Sequence, residues 1–241
     1  MEEGYLLCCF NDIKYFKMTV RTVHMIRKYD IVRKICILTD NPSYFENQLF
    51  YRNSLDADNQ VVVVLFDYKQ HMHDTINMQN NWNRYGLIPK IYQSYYTPFQ
   101  KTMYIDVDMM FKKDLTCIWD IYARNGQPIL FAGVSDVNNK APANWHWNRI
   151  NEVANNVGIH IPQCFSTLMV YNTQLKTMVE THICNIFHNL LKWKIRMQYK
   201  NGCPDEIIYA IIFGFEKIKP DKTLHELILN TNMCNPFDKN V

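Results

Sequence analysis

No apolar run in this sequence approaches the roughly 20 residues needed to span a bilayer. The acidic opening Met1-Glu2-Glu3-Gly4, followed by only a short apolar stretch, does not read as a signal peptide, and none is expected. An excess of one charge is lacking too: 26 Lys and Arg stand against 23 Asp and Glu, and a net charge of +3 gives no support to nucleic acid or a membrane surface as a partner. The eight cysteines (Cys8, Cys9, Cys36, Cys117, Cys164, Cys184, Cys203, Cys234) contain no C-x-x-C and no zinc-type spacing. Spread singly through apolar segments apart from one adjacent pair, they read as reduced, mostly buried thiols of a cytoplasmic protein. Internal repeats, low-complexity stretches and linkers are also missing, so one domain is expected, and 48% apolar content is ample for its core.

What is present centres on Met103-Tyr104-Ile105-Asp106-Val107-Asp108-Met109-Met110. The apolar run before Asp106 reads as a buried strand, with both carboxylates at or just past its C-terminal end. In open α/β sheets ligands bind at that end. Two acids so close repel each other unless a proton or cation intervenes, and hard divalent ions suit such oxygen ligands. A metal-bound phosphate substrate follows from that chemistry.

The surrounding pattern is α/β. A strand is expected at Tyr5–Phe10 and a helix over 14–29, with apolar spacing at Tyr15, Met18, Thr19, Thr22, Met25, Ile26 and Tyr29. Strands follow at Val32–Leu38 and Val61–Phe66. A helix at Leu87–Phe99 has Pro89 in its first turn and leads to the Asp-x-Asp strand. Beyond that strand the pattern gives a helix at Leu115–Tyr122, a strand at Ile129–Val134, an aromatic loop Asn144-Trp145-His146-Trp147-Asn148 and a strand at Leu168–Tyr171. A long helix over 174–198 and a last one at Asp205–Phe213 complete it. Helical connections between successive strands predict a mixed, mostly parallel sheet.

Lys90-Ile91-Tyr92 on the preceding helix, the Asp-x-Asp strand, and Lys113-Asp114-Leu115 directly after it resemble the nucleotide-sugar glycosyltransferases of the GT-A fold, and among them the glycogenin-like glycosyltransferase family 8. The resemblance extends from Tyr5 to about Phe213 and is weaker outside the centre. It implies a single Rossmann-like domain, residues 1–110 forming the nucleotide-sugar half and 111–241 the acceptor half. The implied reaction moves a hexose from a nucleoside diphosphate sugar, UDP-linked, to a hydroxyl of a glycan, protein or small molecule, with retention of configuration. Asn, Ile, Lys and Tyr are abundant beside only seven Gly, which suggests an AT-rich genome such as that of a large virus or phage, and then a host-cell cytoplasm.

Residue by residue, Asp106 and Asp108 would hold Mn²⁺ or Mg²⁺ on the donor's diphosphate, with Val107 between them. Lys90 would add charge to the phosphate or orient Asp205. The first βα turn, Phe10-Asn11-Asp12 with Tyr15, is where base and ribose should lie, Tyr15 stacking or else facing the core. Ser166 stands where the family has an Asn contacting the donor sugar, and Leu168 where it has Gly. Asp205-Glu206 stands where it has Asp-Gln, the Asp binding sugar and the Gln lying near the reacting carbon; both acids also suit a helix first turn. Asp136 ends another strand and is a candidate for sugar or acceptor binding. With inversion instead of retention, Asp136, Asp205 or Glu206 must deprotonate the acceptor. The family's C-terminal His, a third metal ligand, has no counterpart, since the surroundings of His225 do not match. Two rivals are a nucleotide-sugar-binding module without turnover and a haloacid dehalogenase-like phosphatase, whose Asp-x-Asp lies near the N-terminus.

Overall fold

A computed structural model describes residues 2–10, 12–46, 60–71, 87–111, 114–134, 150–195 and 205–230. Six strands form one sheet: β1 (Glu3–Cys9), β2 (Lys34–Thr39), β3 (Val61–Leu65), β4 (Lys101–Ile105), β5 (Ile129–Val134) and β6 (Gln163–Asn172). Their order is β3-β2-β1-β4-β6-β5. The first four run parallel, and β6 enters antiparallel between β4 and β5. The sheet is therefore mixed and mostly parallel, with β4 beside the strand where direction reverses.

Near-continuous apolar strands are expected when both faces of a sheet are covered, and alternate residues here do enter different cores. Leu6 and Cys8 of the first strand, with Phe10 just past its end, join one buried cluster, and Tyr5, Leu7 and Cys9 join the other. The second cluster lies under α1 (Ile13–Tyr29), whose Phe16, Met18, Thr19, Thr22, Val23 and Ile26 are buried. The first lies under a helix at Gln174–Asn189 and another at Asp205–Phe215, whose residues 205 to 213 are all buried. Among the described residues, no helix is long and apolar enough to cross a membrane.

Several boundaries differ from the sequence expectation. The second strand begins at Lys34, not Val32, because Asp30 Oδ1 accepts from the backbone N–H groups of Val32 and Arg33, each at 3.0 Å. That turn leaves Ile31 and Val32 exposed. The helix expected at Leu87–Phe99 is two short pieces, Leu87–Ile91 and Gln93–Tyr96. Between them Tyr92 leaves helical geometry, and the Tyr209 hydroxyl donates to the Lys90 carbonyl at 2.7 Å, a group that a continuous helix would have used itself. The helix expected over 174–198 ends at Asn189, followed by a turn in which Lys194 has φ 56°. Helices at Ile150–Val157 and Lys222–Asn230 went unforeseen; the latter starts where Asp221 Oδ1 accepts from Leu224 N at 2.8 Å. Cys8, Cys9, Cys36 and Cys164 are buried free thiols, while Cys117 and Cys184 are exposed. The aromatic loop 144–148 lies outside the described residues.

One close approach fixes the far edge of the sheet. A Cβ added at Gly133 would collide with the carbonyl oxygen of Gln163 and lie 3.3 Å from Pro220 Cβ. Backbone, unlike a flexible side chain, cannot step aside. Gly133→Ala is expected to destabilise the protein by about 1–3 kcal/mol, read as a lower urea midpoint at unchanged slope.

Candidate active site

The C-terminal end of β4 presents Asp106, whose backbone N–H donates to the Thr167 carbonyl at 2.8 Å and so extends the pairing with β6 by one residue. The chain then turns, Met109 N bonding back to Asp106 O at 3.1 Å. Val107, buried in that turn, directs its carbonyl to the Thr22 hydroxyl of α1 at 3.2 Å. The two carboxylates are thus carried by a short turn tied to β6 on one side and to α1 on the other.

Lys90 reaches the same point from the other layer, its Nζ 2.6 Å from Asp106 Oδ1. Tyr104, two residues earlier on the same face of β4, donates its hydroxyl to that oxygen. Both groups occupy Oδ1 and leave Oδ2 available. Burial by itself would lower the Lys90 ammonium, but Asp106, then Asp205 and Asp108, outweigh it and hold it above its ordinary value. Tyr209 fixes the backbone beneath Lys90 and takes a bond from Gln93 Nε2 at 3.1 Å.

Asp205 and Glu206 open the Asp205–Phe215 helix, and both are buried. Ser166 of β6 holds them together: its Oγ donates to Asp205 Oδ2 at 2.8 Å and its backbone N–H to Glu206 Oε1 at 3.1 Å. The Asp205 carboxyl is pushed up by burial, with Glu206 and Asp106 adding to the rise and Lys90 and Ser166 opposing it. Asp108 is likewise pushed up by burial and by Asp106, against the charges of Lys90 and Arg21.

The first βα turn contributes less uniformly. Tyr15 is 41% exposed, outside the core, and its hydroxyl is raised by burial and then by the charge of Asp108, so it lies within electrostatic reach of the Asp-x-Asp turn. Asp12 caps α1, one oxygen accepting from Lys14 N at 2.9 Å. The Phe10 side chain is buried edge-on against Phe66, centroids 5.8 Å apart, and its carbonyl accepts from Asp12 N at 2.9 Å. Asn11 and Asp136 lie outside the described residues. Lys90, Asp106, Asp108, Ser166, Asp205 and Glu206 therefore converge, with Tyr15 at the margin.

Sequence reasoning missed Tyr104, Arg21 and Tyr209. Tyr104 carried a signal, since residues i and i+2 share a strand face. Tyr209 follows Asp205 by one helical turn and also lay within reach of pattern reasoning. Nothing local marks Arg21. His225 stacks on Phe165, centroids 5.7 Å apart, one residue before Ser166.

An open α/β sheet with carboxylates gathered at a strand's C-terminal end defines a ligand-binding architecture. Comparison with known proteins refines that class. No family model matches the sequence, and no curated protein does. Solved structures match well: mouse xyloside xylosyltransferase 1 superposes with a TM-score of 0.58 at 10% identity, over 92% of this chain and 84% of that one. Galactosyltransferase LgtC, solved with donor and acceptor sugar analogues, gives 0.53 at 12% identity, over 87% and 70%. The glycosyltransferase GlyE of Streptococcus pneumoniae gives 0.51 at 10% identity, over 92% of this chain but 45% of its own. The chain has the GT-A fold of these glycosyltransferases.

Two outcomes follow from the electrostatics. Because the folded pKa of Asp108 is raised, the folded state holds more protons than the unfolded chain above the ordinary carboxylate range, and stability falls as pH rises through that window. Asp108→Asn removes this penalty, so without divalent cations the variant should gain stability over wild type as pH rises from about 4 to 7, measured by urea unfolding at each pH. Lys90→Met should cost about 2–3 kcal/mol by the same method, below the range for a fully buried pair because the Lys90 side chain keeps 22% exposure.

Proposed function

We propose that this chain is a metal-dependent glycosyltransferase that moves a hexose from a nucleoside diphosphate sugar, UDP-linked, to a hydroxyl acceptor with retention, acting in the cytoplasm. The observation that carries this reading is the meeting of Asp106 and Asp108 with Lys90, Asp205, Glu206 and Ser166 at the ligand-binding end of the sheet.

The donor set suits a hard divalent cation. Asp106 Oδ2 is left open by the bonds on Oδ1, no described side chain donates to Asp108, and the charge of Asp106 raises the Asp108 carboxyl. Among the described residues no group of three or more His, Cys, Asp or Glu is placed to hold a metal ion, so the protein itself offers at most two carboxylates. A platform of two carboxylates accords with ions that keep water and substrate phosphate in their shell. Mn²⁺ or Mg²⁺ bound there supplies positive charge to the leaving diphosphate.

The remaining residues bind and orient. Lys90 is a fixed cation beside Asp106 and places charge near the phosphate or toward Asp205. Ser166 holds Asp205 and Glu206 in register so that Asp205 can accept from a sugar hydroxyl while Glu206 lies by the reacting carbon. Tyr15, exposed at the margin, offers a face to the base, and the backbone of Phe10 with Asn11 and Asp12 borders the ribose. Asp136 is assigned to sugar or acceptor contact. Residues 1–110 then form the donor half and 111–241 the acceptor half. With retention, no obligatory general base is needed, since the leaving phosphate can take the acceptor proton.

The test is a thermal-shift screen of UDP-hexoses with and without Mn²⁺, paired with assay of UDP-hexose hydrolysis. A Mn²⁺-dependent rise in Tm, with hydrolysis that disappears in Asp108→Ala, is expected. No metal-dependent shift with any nucleotide sugar would sink the proposal. A shift without turnover would identify a binding module, and phosphate release from a simple phosphomonoester would identify a phosphatase.

A further inference from the structure

Behind the candidate site runs a buried hydrogen-bond chain to which the proposed function gives no part. Its members Tyr209, Gln93 and Tyr171 are all buried and come from three elements: the Asp205–Phe215 helix, the short Gln93–Tyr96 helix and β6. The Tyr209 hydroxyl lies 2.7 Å from the Lys90 carbonyl oxygen and 3.1 Å from that of Ile91. Gln93 Nε2 donates to the same hydroxyl at 3.1 Å, and the Tyr171 hydroxyl donates to Gln93 Oε1 at 3.5 Å.

The direction of this chain is fixed at its end. A carbonyl can only accept, so the single proton of the Tyr209 hydroxyl goes to the backbone, and Gln93 must offer that hydroxyl its N–H₂ rather than its oxygen. Gln93 Oε1 is then left for the Tyr171 proton. The carbonyls at the other end need this donor. In a continuous helix the Ile91 carbonyl would take Tyr95 N, but Tyr95 N bonds Tyr92 O at 2.9 Å instead. Backbone acceptors freed by the break at Tyr92 must be paired elsewhere, and Tyr209 supplies the pairing.

The backbone so held is that of Lys90, whose Nζ reaches Asp106 Oδ1 at 2.6 Å. Tyr209 also follows Asp205 by one helical turn, so the two lie on one face of their helix. One helix therefore carries a buried carboxylate of the site and the hydroxyl that anchors the lysine's backbone.

We infer that Tyr209, oriented by Gln93, is a positioning residue for Lys90: its hydroxyl fixes the backbone from which the ammonium is aimed at Asp106 and the donor's diphosphate, in register with Asp205. This rests on the donor site proposed above. Tyr209 and Gln93 act through the lysine and not on the substrate.

The test is a double-mutant cycle on UDP affinity, measured by calorimetry in MnCl₂ on the full chain, with a urea midpoint for every variant. Tyr209→Phe keeps the ring and loses only the hydroxyl, so UDP should weaken about 10-fold as the charged contact from Lys90 is misaimed. Gln93→Met leaves the Tyr209 hydroxyl on its carbonyl but without its orienting donor, and should weaken UDP about 3-fold. In a Lys90→Met background each change should alter UDP affinity by less than about 2-fold, because the group they position is gone. Losses of equal size in both backgrounds would overturn the inference, since independent packing defects add. Unchanged UDP affinity in Tyr209→Phe, with only the urea midpoint lowered, would overturn it in favour of a purely structural hydroxyl. If Tyr209→Phe does not fold together with Lys90→Met, the milder Gln93→Met pair decides by the same rule. Wild type that binds no UDP even with MnCl₂ would instead remove the donor site itself, and this role with it.

Discussion

The contact on which the site depends is the ion pair between Lys90 and Asp106, 2.6 Å long, at the end of the strand where the sheet changes direction. Lys90 is held above its ordinary value by Asp106, Asp205 and Asp108 against the cost of its own burial. One ammonium serves several carboxylates. Asp106 takes the contact directly, whereas Asp108 and Asp205 both remain raised despite it. In the protein alone, burial and mutual repulsion keep these carboxyls above their ordinary value.

Everything around this pair keeps it in place. Tyr209 holds the carbonyl of Lys90, and with it the break between two short helices, while Ser166 ties Asp205 and Glu206 to β6. Thr22 binds α1 to the turn between the aspartates. Elements from both layers therefore end on one cluster of charge, and each brings a hydrogen bond as well as a side chain. Rigid support of this kind suits a site where orientation matters as much as charge.

Much of the scaffold was legible. Apolar runs such as Tyr5-Leu6-Leu7-Cys8-Cys9 and Met103-Tyr104-Ile105 read as strands buried on both faces, and they are. The α1 periodicity gave the helix but misjudged one face: Tyr15 points outward and Phe16 inward, because an aromatic ring satisfies an apolar pattern in either direction. Boundaries failed where a distant or side-chain bond intervened. Asp30 delayed the second strand through its carboxylate, and Tyr209 split the Leu87–Phe99 helix from far along the chain. Local propensity contains neither event.

By itself, the sequence determined the alternation of strands and helices and the position of two carboxylates at a strand end. These follow from spacing along the chain, which fixes which residues share a face. Only the tertiary structure decided that Ser166 bridges Asp205 and Glu206, that Lys90 bonds Asp106 while acting on Asp205, and that Tyr209 holds the Lys90 carbonyl. Those relations join segments far apart in sequence, and their strength depends on burial, which arises only when the layers close over the sheet.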